Sequence, residues 1–207
     1  WKIGLTSKAM QRALNIETPD SGVLFDNMFF QNASQIPRNR FIQPRIEAEI
    51  AFVMKEQISG KRITKSEIIE ATDYVCPALE ILDTRIKRSD PTTGQTRKIF
   101  DTVADNAANA GIILGNQTHN IRDWDLRQIG CILKKNNEVE ETGLGAGILD
   151  DPVTGILWLI RRLANYNKYL DKGDVVLSGS FIRPVETKFG DQITADFNDF
   201  GIVSCTF

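Results

Sequence analysis

A single histidine, His119, and three widely spaced cysteines, Cys76, Cys131 and Cys205, leave little material for several common kinds of site. No cysteine pair has the C-x-x-C spacing of a thiolate zinc site, and an odd, scattered set is no disulfide framework; this usage fits a reducing cytoplasm. His119 lies in the polar stretch 115–120 and reads as a surface-loop residue, so a Ser–His–Asp or Cys–His nucleophilic arrangement has no support. Charge of one sign is also lacking: the formal net charge is −2 over 207 residues, with 25 basic side chains scattered among 27 acidic ones. No basic stripe exists to neutralise a run of phosphates, which argues against a nucleic-acid partner. No apolar run approaches the length of a membrane-crossing helix, so no membrane role is expected. Internal repeats and low-complexity tracts are absent as well.

What is present is an ordinary globular composition, 42% hydrophobic, enough for one sizeable core in a single domain over 1–207. The chain opens on Trp1-Lys2-Ile3-Gly4-Leu5, which reads as a strand already under way, so a preceding N-terminal segment is expected to be missing. Alternation over 46–54 predicts a strand. Thr64 with Glu67 forms a capping box that predicts a short helix over 65–72. Further strands are expected over 74–82, 110–114, 175–178, 192–197 and 202–207. A hairpin is expected around Asn136-Asn137, joining 127–135 to 138–142. Asp151-Pro152 caps an amphipathic helix built on Val153, Ile156, Leu157, Ile160 and Leu163. The polar stretch 89–96 is the best candidate for a mobile surface element, and Gly143, Gly145 and Gly147 read as a loop without the strand-before, helix-after setting of a dinucleotide site. Strands outnumber helices, and the helices are interspersed: a mixed, β-dominated α+β fold is expected.

Glu47 and Glu49 are the sharpest local signal. Two apart on a strand, they share a face, with alpha carbons roughly 6.5–7 Å apart. Such carboxylates repel unless a cation sits between them, although the same spacing also fits an exposed face meeting solvent. Glu80 lies in the apolar run Cys76-Pro77-Ala78-Leu79-Glu80-Ile81-Leu82, where an unpaired carboxylate is costly. Its partner is either a cation such as Arg85 or Arg45, or a metal shared with Glu47 and Glu49. An all-oxygen set of three carboxylates suits Mg²⁺ or Mn²⁺, not zinc.

Taken in order, Lys2-Ile3-Gly4-Leu5-Thr6, Pro19-Asp20-Ser21-Gly22, Pro44-Arg45-Ile46-Glu47-Ala48-Glu49, Pro77-Ala78-Leu79-Glu80, Asp101-Thr102-Val103-Ala104-Asp105-Asn106 and Ser178-Gly179-Ser180-Phe181 resemble the hydratase and decarboxylase branch of the fumarylacetoacetate hydrolase superfamily. The resemblance runs from Trp1 to Phe207. It implies a Mg²⁺-dependent enzyme, with Mn²⁺ as a substitute, whose metal ligands are Glu47, Glu49 and Glu80. It implies hydration of a seven-carbon 2-oxo or 2-hydroxydienoic diacid, a small-molecule substrate of aromatic catabolism, by a cytoplasmic homo-oligomer. The stretches 90–102 and 178–184 favour the seven-carbon diacid over a five-carbon acid. Lys2 is the candidate charge contact or general acid, and Asp20 the candidate base or proton shuttle. Ser180 is a candidate hydrogen-bond donor to a substrate carboxylate; Arg183, Arg97 and Lys98 are candidates for reading the distal one. Many hydrolases of the superfamily carry Asp at the third ligand position and a Glu–His dyad on a lid. Glu80 and the lack of a matching histidine favour hydration over C–C bond hydrolysis. Decarboxylation of a 2-oxo-3-hexenedioate, hydration of 2-hydroxypentadienoate, and a non-catalytic metal-binding role beside a decarboxylase are the alternatives.

Overall fold

A computed structural model describes residues 1–14 and 16–207. The first strands are short: β1 (Lys2–Gly4), β2 (Asp20–Gly22), β3 (Phe29–Phe30) and β4 (Ser34–Gln35), with helix α1 (Lys8–Leu14) between the first two. Two long strands follow, β5 (Arg45–Met54) and β6 (Thr72–Leu82), joined through helix α2 (Lys65–Ala71). Helix α3 (Ile99–Ala104) precedes β7 (Asn109–Leu114), and the hairpin β8 (Gly130–Lys135) and β9 (Glu138–Leu144) turns at Asn136-Asn137, both with positive φ. Helix α4 (Pro152–Ala164) leads to β10 (Val175–Ser180), β11 (Val185–Glu186), β12 (Gln192–Asp196) and β13 (Ile202–Thr206). The result is a mixed α+β fold.

One sheet has the order β2-β1-β10-β5-β6-β7-β3, with β11 also paired to β5; the other runs β4-β13-β12-β8-β9. At the centre of the first sheet is the antiparallel β5–β6 ladder, which sets Glu47 opposite Glu80 and Glu49 opposite Ala78. The even-numbered side chains of β5, Ile46, Ala48, Ile50 and Phe52, are fully buried in the main core. Helix α4 adds Ile156, Leu159 and Ile160 to that core from its apolar stripe. The odd-numbered face is different. Beyond the two glutamates it continues as Ala51, which joins Cys76, Ala78, Ile112 and Leu177 in a small second cluster. That cluster adjoins the carboxylates, with Ala78 paired to Glu49 and Ile112 to Glu80.

Several expectations are met with shifts at the ends. The capping box is formed, with Thr64 Oγ1 accepting from Glu67 N and Thr64 N donating to Glu67 Oε2 at 2.8 Å. Asp151 caps α4 as expected. The strand expected from 127 begins at Gly130, because Asp125 caps a 3-10 turn over Leu126–Gln128 first. Gly143 is a strand residue paired with Cys131, and only 145–147 form a turn. His119 is not a free loop residue. It is half-buried, stacks on Phe200 at 4.6 Å, packs edge-on to Trp124, and its Nε2 bonds the Phe200 carbonyl at 2.8 Å. The 89–96 stretch is exposed, and its turn is closed by a bridge between Ser89 and Thr96. Helices α1 and α3 were not expected.

Candidate metal centre

Strand parity and pairing bring the three carboxylates together. Glu47 and Glu49 project from the same face of β5, and Glu80 faces them from β6. One oxygen from each lies within 4.8 Å of one from each of the others, close enough for a single cation to touch all three after small side-chain rotations. Glu80 and Glu49 are buried, while Glu47 is half-buried. Burial is the first cause that pushes the Glu47 carboxyl up to about 8, with the Glu80 charge adding to it and Lys2 opposing. Glu49 is raised well above the usual carboxylate range for the same reason, reinforced by Glu80 and Glu47. Three mutually repelling carboxylates in an apolar setting are what a divalent cation relieves.

Two of the three glutamates are held by specific contacts. A register shift in β10 between Leu177 and Ser180 is centred on Gly179, at φ 113°, whose N–H donates to Glu49 Oε2 at 2.8 Å. Its positive φ and the Thr6 side chain packed against it both require glycine there. Glu80 Oε1 receives Lys2 Nζ at 3.2 Å and Asn109 Nδ2 at 2.8 Å, whereas Glu80 Oε2 is buried with no hydrogen-bond partner. A buried carboxylate oxygen without a partner, on a residue grouped with two further carboxylates, is a group that a divalent cation would satisfy. The partner of Glu80 is therefore neither Arg85 nor Arg45, the two cations named from the sequence. Arg85 pairs with Asp105 at 2.6 Å and Arg45 with Glu186 at 2.6 Å.

Lys2 and Asp20 complete the cluster from β1 and β2. The register places Gly4 opposite Asp20, and a side chain at Gly4 would collide with the Asp20 carboxylate and crowd Lys2 Nζ, so the bare backbone there keeps the pair in place. Lys2 is 3% exposed; burial alone would lower its pKa, but Glu80, Asp20, Glu47 and Glu49 together hold it above the ordinary lysine value. Asp20 is raised, chiefly by burial and against the pull of Lys2, and its Oδ1 has no hydrogen-bond partner.

A cavity of about 330 Å³ opens beside Glu47, lined also by Gly4, Thr6, Ser180, Ile182 and Arg183. Two larger clefts, of about 630 and 600 Å³, lie along residues 36–45 and 25–28, and no carboxylate of the trio lines either. Of these three spaces, the smaller one is lined by a member of the carboxylate trio, Glu47. Ser180 Oγ donates to Ile182 O at 2.7 Å, so recognising a substrate would mean exchanging that bond. Arg183 reaches the cavity while paired with Glu141 at 2.6 Å and Glu140 at 3.4 Å. Arg97 and Lys98 are outside its lining: Arg97 donates to Thr84 Oγ1 at 2.8 Å, and Lys98 is exposed at the start of α3. The cysteines take no part, since all three are buried and free, and burial pushes their thiols up to about 12.

A mixed sheet carrying a carboxylate trio beside a buried lysine offers an all-oxygen set suited to a divalent cation, as in metal-assisted enzymes. The profile described as "Fumarylacetoacetate (FAA) hydrolase C-terminal" matches residues 1–207, and the chain belongs to that family. It is 48% identical over 206 residues to 2-oxo-hept-4-ene-1,7-dioate hydratase of Escherichia coli, covering all of this chain and 77% of that protein. It is 38% identical over 206 residues to 2-keto-4-pentenoate hydratase of Paraburkholderia xenovorans, covering all of this chain and 74% of that one. Among solved structures, 4-oxalocrotonate decarboxylase from Pseudomonas putida G7, complexed with magnesium and adipate, superposes with a TM-score of 0.91 at 32% identity. That match covers all of this chain and 76% of the other.

Proposed function

We propose that this chain is a Mg²⁺-dependent hydratase converting 2-hydroxyhepta-2,4-diene-1,7-dioate (2-oxo-hept-4-ene-1,7-dioate) to 4-hydroxy-2-oxoheptanedioate, a step in aromatic (homoprotocatechuate) catabolism. The observation that carries the reading is the convergence of Glu47, Glu49 and Glu80 on one point, with Lys2 and Asp20 behind it and a cavity in front. The 48% identity to a hydratase of that diacid, against 32% to a decarboxylase, sets the direction of the chemistry. That the decarboxylase was crystallised with adipate, a six-carbon diacid, supports a diacid for this cavity.

A divalent cation held by the three glutamates would supply Lewis acidity toward the 2-oxo oxygen of the substrate. The residues do the rest. Lys2, pinned to Glu80 and kept protonated, holds positive charge beside the developing enolate and fixes the ligand it touches. Asp20, buried beside Lys2 with an unpartnered Oδ1, is placed to shuttle protons: the proton leaving the 2-hydroxyl is returned at C5 to give the conjugated enone, and as water adds at C4 its proton passes by way of the same carboxylate to C3. Residence in the cytoplasm and assembly into a homo-oligomer belong to the same proposal. Phe100, 81% exposed on α3, is an apolar surface such an assembly would cover.

The test is to give the purified chain, with Mg²⁺ and then with chelator, the seven-carbon dienol diacid, 2-oxo-3-hexenedioate and 2-hydroxypentadienoate in ¹⁸O-water. A hydratase yields a 4-hydroxy-2-oxo acid carrying one labelled oxygen, only with metal and fastest on the diacid. Stoichiometric CO₂ from the hexenedioate without hydrated product would establish the decarboxylase instead. No turnover of any of the three would leave the non-catalytic partner role.

A further inference from the structure

The stretch from Asp105 to Asn109 is the most unusual backbone near the site. Asn106, Ala107 and Ala108 adopt φ of 53°, 52° and 61° in succession, a left-handed turn that L side chains rarely adopt. Strain of this kind persists where the surroundings over-determine it. Here they do. The Asn106 side chain bonds both backbone groups of Val23, accepting from N at 2.7 Å and donating to O at 2.9 Å, which ties the turn to the end of β2, the strand carrying Asp20. Arg85 bonds the Asp105 side chain and the Asn109 carbonyl.

What this turn delivers is Asn109. The β6–β7 ladder pairs Glu80 with Ile112 and Ile81 with Gly111, then shifts, so that Leu82 pairs with Asn109 and Ala110 is the extra residue. Without the bulge, Asn109 would face away from Glu80; with it, Asn109 lies on the face that Leu82 and Glu80 share. Its Nδ2 then donates to Glu80 Oε1 at 2.8 Å, the same oxygen that Lys2 approaches at 3.2 Å. Two donors on one oxygen leave Oε2 as the only free corner of Glu80. An asparagine serving packing alone would satisfy both ends of its amide, yet Asn109 is 0% exposed and its Oδ1 has no partner.

We propose that Asn109 is a positioning residue of the metal centre: set by the left-handed turn and the bulge, it locks Glu80 so that Oε2 is presented to the ion. The proposal rests on the metal reading of the trio. Outer partners that orient ligating carboxylates typically change metal affinity by 10–100-fold.

The experiment measures Mn²⁺ affinity by calorimetry for the full chain, Asn109→Ala, Asn109→Ser, Glu80→Gln and the Asn109→Ala/Glu80→Gln pair, alongside thermal unfolding in chelator. Asn109→Ala is expected to bind Mn²⁺ roughly tenfold or more weakly, with partial rescue in Asn109→Ser, which keeps a donor. Added to Glu80→Gln, the same change should cost less than about twofold, because the group through which it acts is already altered. Wild-type affinity in Asn109→Ala overturns the proposal, as does an equal loss in both backgrounds. If Asn109→Ala unfolds in chelator, Asn109→Ser carries the comparison, and wild-type affinity there has the same force. A wild-type chain that binds no Mn²⁺ overturns the metal reading itself, and this inference with it.

Discussion

The two faces of β5 are built from one ten-residue strand and do opposite things. On one side Ile46, Ala48, Ile50 and Phe52 are wholly buried among apolar neighbours, the arrangement that stabilises a fold. On the other, Glu47 and Glu49 are held beside Glu80 with their carboxyls raised by burial and mutual repulsion, an arrangement that costs stability until a cation arrives. Function is thus paid into the fold by one face and supported by the other.

The sharpest way to break that comparison is to substitute both faces three residues apart. Phe52→Ala should cost about 3–5 kcal/mol of stability, the usual range for emptying a buried aromatic site, and lower activity only through loss of folded protein. Glu49→Gln replaces a buried carboxyl, raised by burial and its neighbours, with a neutral amide of the same shape, so unfolding in chelator should occur at an unchanged or higher temperature. Mg²⁺-dependent turnover should fall by at least about 100-fold, the upper end of what even outer-shell changes do. A Glu49→Gln variant as unstable as Phe52→Ala would erase the distinction.

A second, smaller effect follows from pH. The folded protein holds a proton on Glu47 up to about 8, against 4.5 for an unperturbed glutamate. Its contribution to metal-free stability is therefore present below about 4.5 and is lost as pH rises toward 8, at up to about 1.4 kcal/mol per pH unit. Glu49 acts in the same direction. Metal binding displaces these protons, so saturating Mg²⁺ should stabilise the chain more at pH 8 than at pH 6. Melting curves from pH 5 to 9, in chelator and in Mg²⁺, measure this; a metal-free curve flat over that range would contradict the raised carboxyls.

The same contrast explains what was legible in the sequence. Period-two alternation places Glu47 and Glu49 on one face, and the apolar setting of Glu80 marks it as needing a partner; both features survive into the structure. The identity of that partner was hidden, because Lys2 lies 78 positions away and reaches Glu80 only through β1 pairing with β10, a contact no local pattern encodes. Asn109 was hidden for a second reason. A bulge inverts the parity by which strand faces are read, and nothing in Asn109-Ala110-Gly111 announces one. Helix α3 has no clear local signal, because Ile99, Thr102 and Val103 are β-branched, weak helix formers held by the Asp101 side chain accepting from Lys98 N at 2.7 Å. The setting of His119 differs from the surface loop its neighbours suggest, because those polar neighbours say nothing of Trp124 and Phe200, which pack against its ring.

The smallest expected effect concerns the mouth of the cavity, where the two readings of Arg183 part. As a surface residue it merely pairs with Glu140 and Glu141; as a reader of the distal carboxylate it must exchange one of those partners for substrate. The guanidinium is 56% exposed, so either bond is screened and worth about 0.2–1 kcal/mol. Arg183→Ala should then raise KM for the seven-carbon diacid by roughly two- to fivefold, leaving the five-carbon monoacid unchanged. Glu141→Gln should do the reverse, lowering KM for the diacid by freeing the guanidinium from its 2.6 Å partner. Arg97→Ala and Lys98→Ala, outside the cavity lining, are the controls. Equal changes on both substrates for Arg183→Ala would make the arginine a structural pair only and move the reading of the second charge elsewhere. A selective loss from Arg97→Ala instead would mean that residues 97–98 close over the cavity when the diacid binds.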